Sequence, residues 1–350
     1  MRLLNWFQSA ALAAVLVSTA SAQSTAPATK SALTTGATQT YASANANAAN
    51  SAPASLSAIP ATATTYAGYQ GEVAELRAKP LSSREEIDVR LESMGGQNPR
   101  NLTAGWMSYS ALITAQNKEF AAGVRDIEAY YGREVLMNAL SKGSYVMQIK
   151  GADRALQGAY AAAEADAQHM QATANFMEAQ QADLQNQKWI KERIYDGQQR
   201  ATRLKSLASA ATAPVSDHAN ELFTTANIET LLSDSGSAAI WDRASRIASN
   251  APRSALTSFT GRQYSVDRAY TGTARNMAAL AAYEIMDAAD TSVAGVSSAM
   301  NDTTANRCFS DASFELRGCV AAMSEHYGLQ ACLRKHAIEQ MGSCVDGIAQ

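Results

Sequence analysis

The residues with the most definite chemistry are four cysteines, Cys308, Cys319, Cys332 and Cys344, all within the last 43 of the chain's 350 residues. An even number of thiols in an exported chain predicts two disulfides. A structural zinc site would need a close Cys-x-x-Cys pair for one of its sides, and none is present. The spacing also predicts which thiols pair. Cys308 with Cys344 and Cys319 with Cys332 share a midpoint near residue 326, beside Gly328, where an antiparallel helical hairpin would turn. Cys308 and Cys319 lie 11 apart, about three helical turns, and so fall on nearly one line of a helix. Sequential pairing would need a bond across those three turns, beyond the roughly 4.4–6.8 Å that a disulfide allows between Cα atoms. The nested arrangement has one awkward feature. Cys332 and Cys344 are 12 apart and would diverge on a continuous α-helix, unless Gly342 ends it early.

The remaining candidates are carboxylates and histidines. Asp166 and His169 sit three apart on one helix face, with Glu164 nearby. Di-iron bundles use a carboxylate three residues before a histidine, but they need two such motifs and further glutamates. Only one is present, and His336 with Glu339 reverses the order, so a solvated helix face is expected at Asp166. Neither a phosphate-binding glycine loop nor a Gly-x-Ser-x-Gly elbow occurs. Catalytic, cofactor-binding and metal-ligating residues are therefore left unassigned, and no cofactor is expected.

Glu92-Ser93, followed by Pro99 and Gly105, is similar to the neighbourhood of the catalytic glutamate in lytic transglycosylases. In that family of helical periplasmic enzymes, the resemblance implies, the glutamate serves as acid and base on a sugar bond. The likeness is confined to this short stretch. Gly105 is followed by Trp106-Met107-Ser108 in place of the family's Gly-Leu-Met-Gln run, and the activity is not carried over. Glu92 instead reads as a charge in the last turn of a surface helix.

The elements that would hold these residues follow from composition and periodicity. Arg2, the apolar stretch Ala10–Val17 and the small residues Ser18–Ala22 have the order of a secretory signal, with cleavage after Ala22. The apolar run is too short for the roughly 20 residues of a membrane span. Residues 23–65 are rich in Ala, Ser, Thr and Asn, with Lys30 their only charge, and read as a flexible tether. Residues 66–300 read as a helical body and 301–350 as a four-cysteine hairpin module.

Within the body, Ser82-Ser83-Arg84-Glu85-Glu86 has the form of a capping box, and Gly95, Gly96, Asn98 and Pro99 close that helix. No proline occurs between Pro99 and Pro214, which predicts helix throughout. Trp106, Tyr109, Leu112 and Ile113 mark one amphipathic segment, with Ser108 and Ser110 off its apolar face. Val124, Ile127, Tyr131, Val135 and Met137–Leu140 continue the spacing of buried helix faces, with Gly132 and Gly143 as breaks.

Ala167, Met170, Ala174, Met177 and Leu184 form a heptad-like seam that resumes, after a shift, at Ile190, Ile194, Gly197, Ala201, Leu204 and Ala208. Unbroken, this element would extend roughly 70 Å, with Gly197 a point of bending or breakage. Its charge is polarised: four acids and no bases from Tyr160 to Gln187, then six bases and two acids from Lys188 to Lys205. That pattern suits a long antiparallel helix pair, either within the chain or with a second copy. Further short helices are expected at Asn227–Leu232 and Ala238–Ser249, then a pair from Pro252 whose second member faces Met277, Leu280, Ala281 and Ile285 inward.

The 29 basic and 32 acidic side chains nearly balance, so nothing predicts nucleic-acid binding. The fold class expected is all-α. The expected function is a structural, scaffolding or partner-binding role in the periplasm or cell envelope, through a protein partner or self-association, with no membrane span after signal removal. The alternatives are a periplasmic enzyme acting on cell-wall glycan by carboxylate acid/base chemistry and a carrier holding an apolar ligand between helices.

Overall fold

The computed structural model describes residues 58–210, 263–266 and 268–348. The expected signal at 1–22, the tether up to residue 57, the helices expected at Asn227–Leu232 and Ala238–Ser249, and the one starting at Pro252 lie outside the described residues. Regular structure among the described residues is helical, apart from one isolated antiparallel bridge between Arg193 and Glu325. The fold is all-α.

Local signals set the first helices. Helix α1 spans Ala58–Ala78, α2 Arg84–Gly95 and α3 Pro99–Ala115. Ser83 caps α2 by accepting from the Glu86 amide at 3.3 Å, and the Glu86 carboxylate accepts from the Ser82 amide at 2.5 Å. Asn98 then caps α3, with Pro99 at its first position, where a missing N–H costs nothing. Residues 58–65, expected as the last part of the tether, instead form the start of α1. Ile59 and Ala63 are fully buried, and α1 lies almost backbone-to-backbone on α3. At Gly105 a Cβ would stand 2.8 Å from the Tyr66 amide nitrogen, so only glycine admits this approach. Small residues that resemble linker composition are here the requirement for close helix packing.

Twelve of the seventeen residues of α3 are buried, which marks it as the central helix. Ser108 and Ser110, expected off the apolar face, are among them, because neighbours surround α3 on every side. Trp106 meets Phe309 edge-on at 5.9 Å between ring centres. Helix α4 (Lys118–Tyr131) and α5 (Arg133–Ser141) follow, joined at Gly132, whose φ is 86°.

The seam expected to form one long helix is split. Helix α6 (Ala152–Leu184) ends, a 3-10 turn occupies Trp189–Lys191, and α7 begins at Gly197 and runs to Ala208. Ile194 donates its amide to Ser324 O at 2.9 Å, and a Cβ at Gly197 would stand 2.9 Å from Ala321 O. This docking onto a distant stretch of chain ends the helix. Met170, Ala174, Met177, Ile190 and Leu204 are all buried within the chain. The basic half is also engaged internally, since Arg200 pairs with Asp88 and Arg203 with Glu92, both on α2. A continuous seam for self-association is therefore not present.

After the undescribed stretch come α8 (Thr271–Ile285), α9 (Ala294–Met300) and α10 (Thr303–Ala322). Met277, Leu280 and Ala281 face inward as expected, and Ile285 is half-buried. Asp302 caps α10 through the Ala305 amide at 2.9 Å and accepts from Thr273 Oγ1 on α8 at the same distance. The chain closes with α11 (His326–Cys332), a π-helix (Leu333–Gln340) and α12 (Met341–Asp346).

Candidate functional site

The cysteines pair as the spacing predicts. Cys308 bonds Cys344 and Cys319 bonds Cys332, each with Cα atoms 5.7 Å apart. The awkward angular offset of Cys332 and Cys344 is removed without ending the helix at Gly342. A continuous α-helix would set residues 12 apart about 120° out of line. Wider i→i+5 turns advance roughly 80° per residue rather than 100°, so eight of them take back about 160° and bring both thiols within about 40° of one line. The π-helix is thus what lets α10 be stapled twice. Tyr69 of α1 anchors it by donating its hydroxyl to Ala337 O.

The carboxylates singled out by sequence are held by local partners. Asp166 is buried rather than solvated, because α6 turns that face onto α1, and it accepts from the Tyr66 hydroxyl at 2.9 Å. Gln70 Nε2 donates to the same hydroxyl at 2.7 Å, and Tyr109 lies across at 5.3 Å between ring centres. Burial, and then the charge of Asp166, pushes the hydroxyls of Tyr66 and Tyr109 well above the ordinary tyrosine range. Glu92 does lie in the last turn of α2, where Arg203 clasps both its oxygens at 2.6 and 2.9 Å. His336 Nδ1 lies 2.7 Å from Gln340 Oε1, and Glu339 is taken by Arg334 and Lys335.

A second buried cluster was not visible in the sequence. Glu72 and Glu75 on α1 both bind Arg90 of α2, at 2.5 and 2.6 Å, and Ser93 donates to Glu72 at 3.1 Å. The guanidinium fork matches two carboxylates one helical turn apart. Burial opposes the charge on Arg90, but the two glutamates outweigh it and raise its pKa. Among the described residues no group of three or more His, Cys, Asp or Glu could hold a metal ion.

Two further features among the described residues reach solvent. At the α4–α5 corner seven consecutive residues, 129–135, are exposed. They include Tyr130 (80% exposed), Tyr131 (58%) and Val135 (57%), and the two rings meet edge-on at 4.6 Å. Tyr131 and Val135 were expected on a buried face. Their spacing from Val124 and Ile127 is that of a core stripe, but the stripe leaves the core at the α4–α5 corner around Gly132 and buried residues resume only at Leu136. Glu128 and Arg133 pair beside the rings at 2.7 Å.

The other feature is a cavity of about 450 Å³ between the start of α6, the start of α8 and the strap Tyr264–Val266. Gln157 fixes the strap, donating to Tyr264 O at 3.0 Å and accepting from Tyr264 N at 2.7 Å, and Tyr264 donates its hydroxyl to Glu164 at 2.6 Å. No motif signals this cavity, because its walls come from segments more than 100 residues apart.

No known protein family, curated protein or solved structure matches this chain. No helix among the described residues is long and apolar enough to cross a membrane.

Proposed function

We propose that this is an exported partner-binding protein, whose disulfide-stapled helical body presents the α4–α5 corner to another protein in the periplasm or envelope. The observation that carries the reading is the exposure of Tyr130, Tyr131 and Val135 together. Tyrosine is enriched at protein interfaces because a rigid ring offers large contact area and a polar tip at little entropic cost. Clustered exposed apolar side chains with a polar rim mark interaction sites more than scattered ones do. Here the rim is supplied by the Glu128–Arg133 pair. Glu92 and Asp166, carboxylates singled out by sequence, are engaged with Arg203 and Tyr66, which supports a binding role over an enzymatic one.

The long-helix route to self-association gives way to this corner, because the α6–α7 seam is already used inside the chain. The test is a pull-down from native envelope extract with the intact chain and with Tyr130→Ser/Tyr131→Ser. The reading expects a partner retained by the first and lost by the second, at unchanged thermal stability. Equal recovery by both would remove the corner from the function.

A further inference from the structure

The cavity behind the Tyr264–Val266 strap has the walls of a ligand site. Its volume of about 450 Å³ falls in the range of small-molecule pockets. Leu156, Val266 and Ala274 give it an apolar surface. Tyr160 lines the same space with its side chain largely buried, and its hydroxyl is not one of the buried polar atoms left without a partner, so it is open to the cavity. A hydroxyl open to an otherwise apolar cavity is one of the few polar groups that can orient a bound ligand. Two opposite charges stand at the rim. Asp153, in the first turn of α6, is near enough to Tyr160 to add to the rise that burial gives the hydroxyl's pKa. Arg275, on α8, faces in from the other element, and neither it nor Asp153 forms an ion pair among the described residues.

We infer that this cavity binds a small zwitterion with an apolar body, an apolar amino acid or short peptide. Its ammonium meets Asp153 and the Tyr160 oxygen, its carboxylate meets Arg275, and its side chains rest on Leu156, Val266 and Ala274. A purely apolar guest would leave the Tyr160 hydroxyl unmatched, and a simple anion would be repelled by Asp153. The inference is independent of the α4–α5 corner, since none of these residues lies on α4 or α5.

The test uses titration calorimetry on the full chain with L-leucyl-L-leucine, its N-acetyl form and its C-terminal amide as probes. Saturable binding of the dipeptide is expected, weakened at least about tenfold by acetylation or amidation, because each removes a charged hydrogen bond. Arg275→Gln is expected to weaken the dipeptide by a similar factor but to leave the amide unchanged. Tyr160→Phe should cost about three- to tenfold. Arg275 and Asp153 are exposed, so Arg275→Gln and Asp153→Asn keep the fold even if Tyr160→Phe does not. The inference is overturned if no probe saturates, if all three probes bind alike, or if both rim variants bind like the parent. Tyr130→Ser/Tyr131→Ser should bind the dipeptide normally, which separates this outcome from failure of the partner-binding reading.

Discussion

Removing the two disulfides one at a time should cost unequal amounts, because one loop lies inside the other. The outer bond closes 36 residues and the inner one 13. Loop-closure entropy gives about 3.8 kcal/mol for the outer bond alone and about 2.9 kcal/mol for the inner one alone at 25 °C. In the native chain the two are coupled. With the inner bond closed, only about 23 residues of the outer loop remain to be restrained, so Cys308→Ala/Cys344→Ala should cost about 3.4 kcal/mol. The same cycle leaves about 2.5 kcal/mol for Cys319→Ala/Cys332→Ala, and about 6.3 kcal/mol for all four substitutions. Urea unfolding of the four proteins measures these differences, and non-reducing peptide mapping checks the pairing. Recovery of a Cys308–Cys319 peptide, or a larger loss from opening the inner bond than the outer, would refute the nested-loop reasoning.

Two further perturbations probe the buried polar groups. Arg90→Met should destabilise by about 3–5 kcal/mol in urea unfolding, because Glu72 and Glu75 lose the guanidinium that compensates their burial. Replacing all three by apolar residues should be far milder, and an equally severe loss would show that the ion cluster is not the cause. Alkaline titration reads the tyrosines. Tyr66, Tyr69 and Tyr109 are buried with pKa values raised above the ordinary 10, so the folded state holds protons that the unfolded chain releases. Their contribution is therefore intact below about pH 10 and declines above it, by about 4 kcal/mol per pH unit for the three together. Absorbance of tyrosinate should rise for these three only as the helical signal collapses; their ionisation in a still-helical protein would contradict the burial.

The helical class and the nested cysteine pairing were legible in the sequence, for identifiable reasons. The proline-free stretch and the Ser83–Glu86 cap are local signals, and the structure uses the cap where it stands. Asn98 and Pro99, read only as the close of one helix, also start the next. The cysteine pairing followed from a symmetry of spacing that survives whatever the helix between them does. The π-helix did not, since i→i+5 bonding leaves no mark in residue types. The division of α6 from α7 was half-visible at Gly197, but its cause is contact with Ala321 and Ser324 more than 100 residues away. The start of α1 was hidden because Ala and Thr serve both linkers and close-packed helices. At the candidate sites periodicity misled in a useful way. Tyr131 and Val135 carry core spacing without a core to enter, and neither the Tyr160 cavity nor the Arg90 cluster exists until distant helices meet.

Photocrosslinking in the native host tests the partner-binding account most directly. A photoreactive residue placed at Tyr131 and, as a control, at the exposed Gln199 of α7 compares two surfaces of one protein. The account predicts a discrete protein adduct from position 131 that is absent from position 199 and disappears when Tyr130 and Val135 are both changed to Ser. No adduct at 131, or the same adduct from both positions, would contradict it.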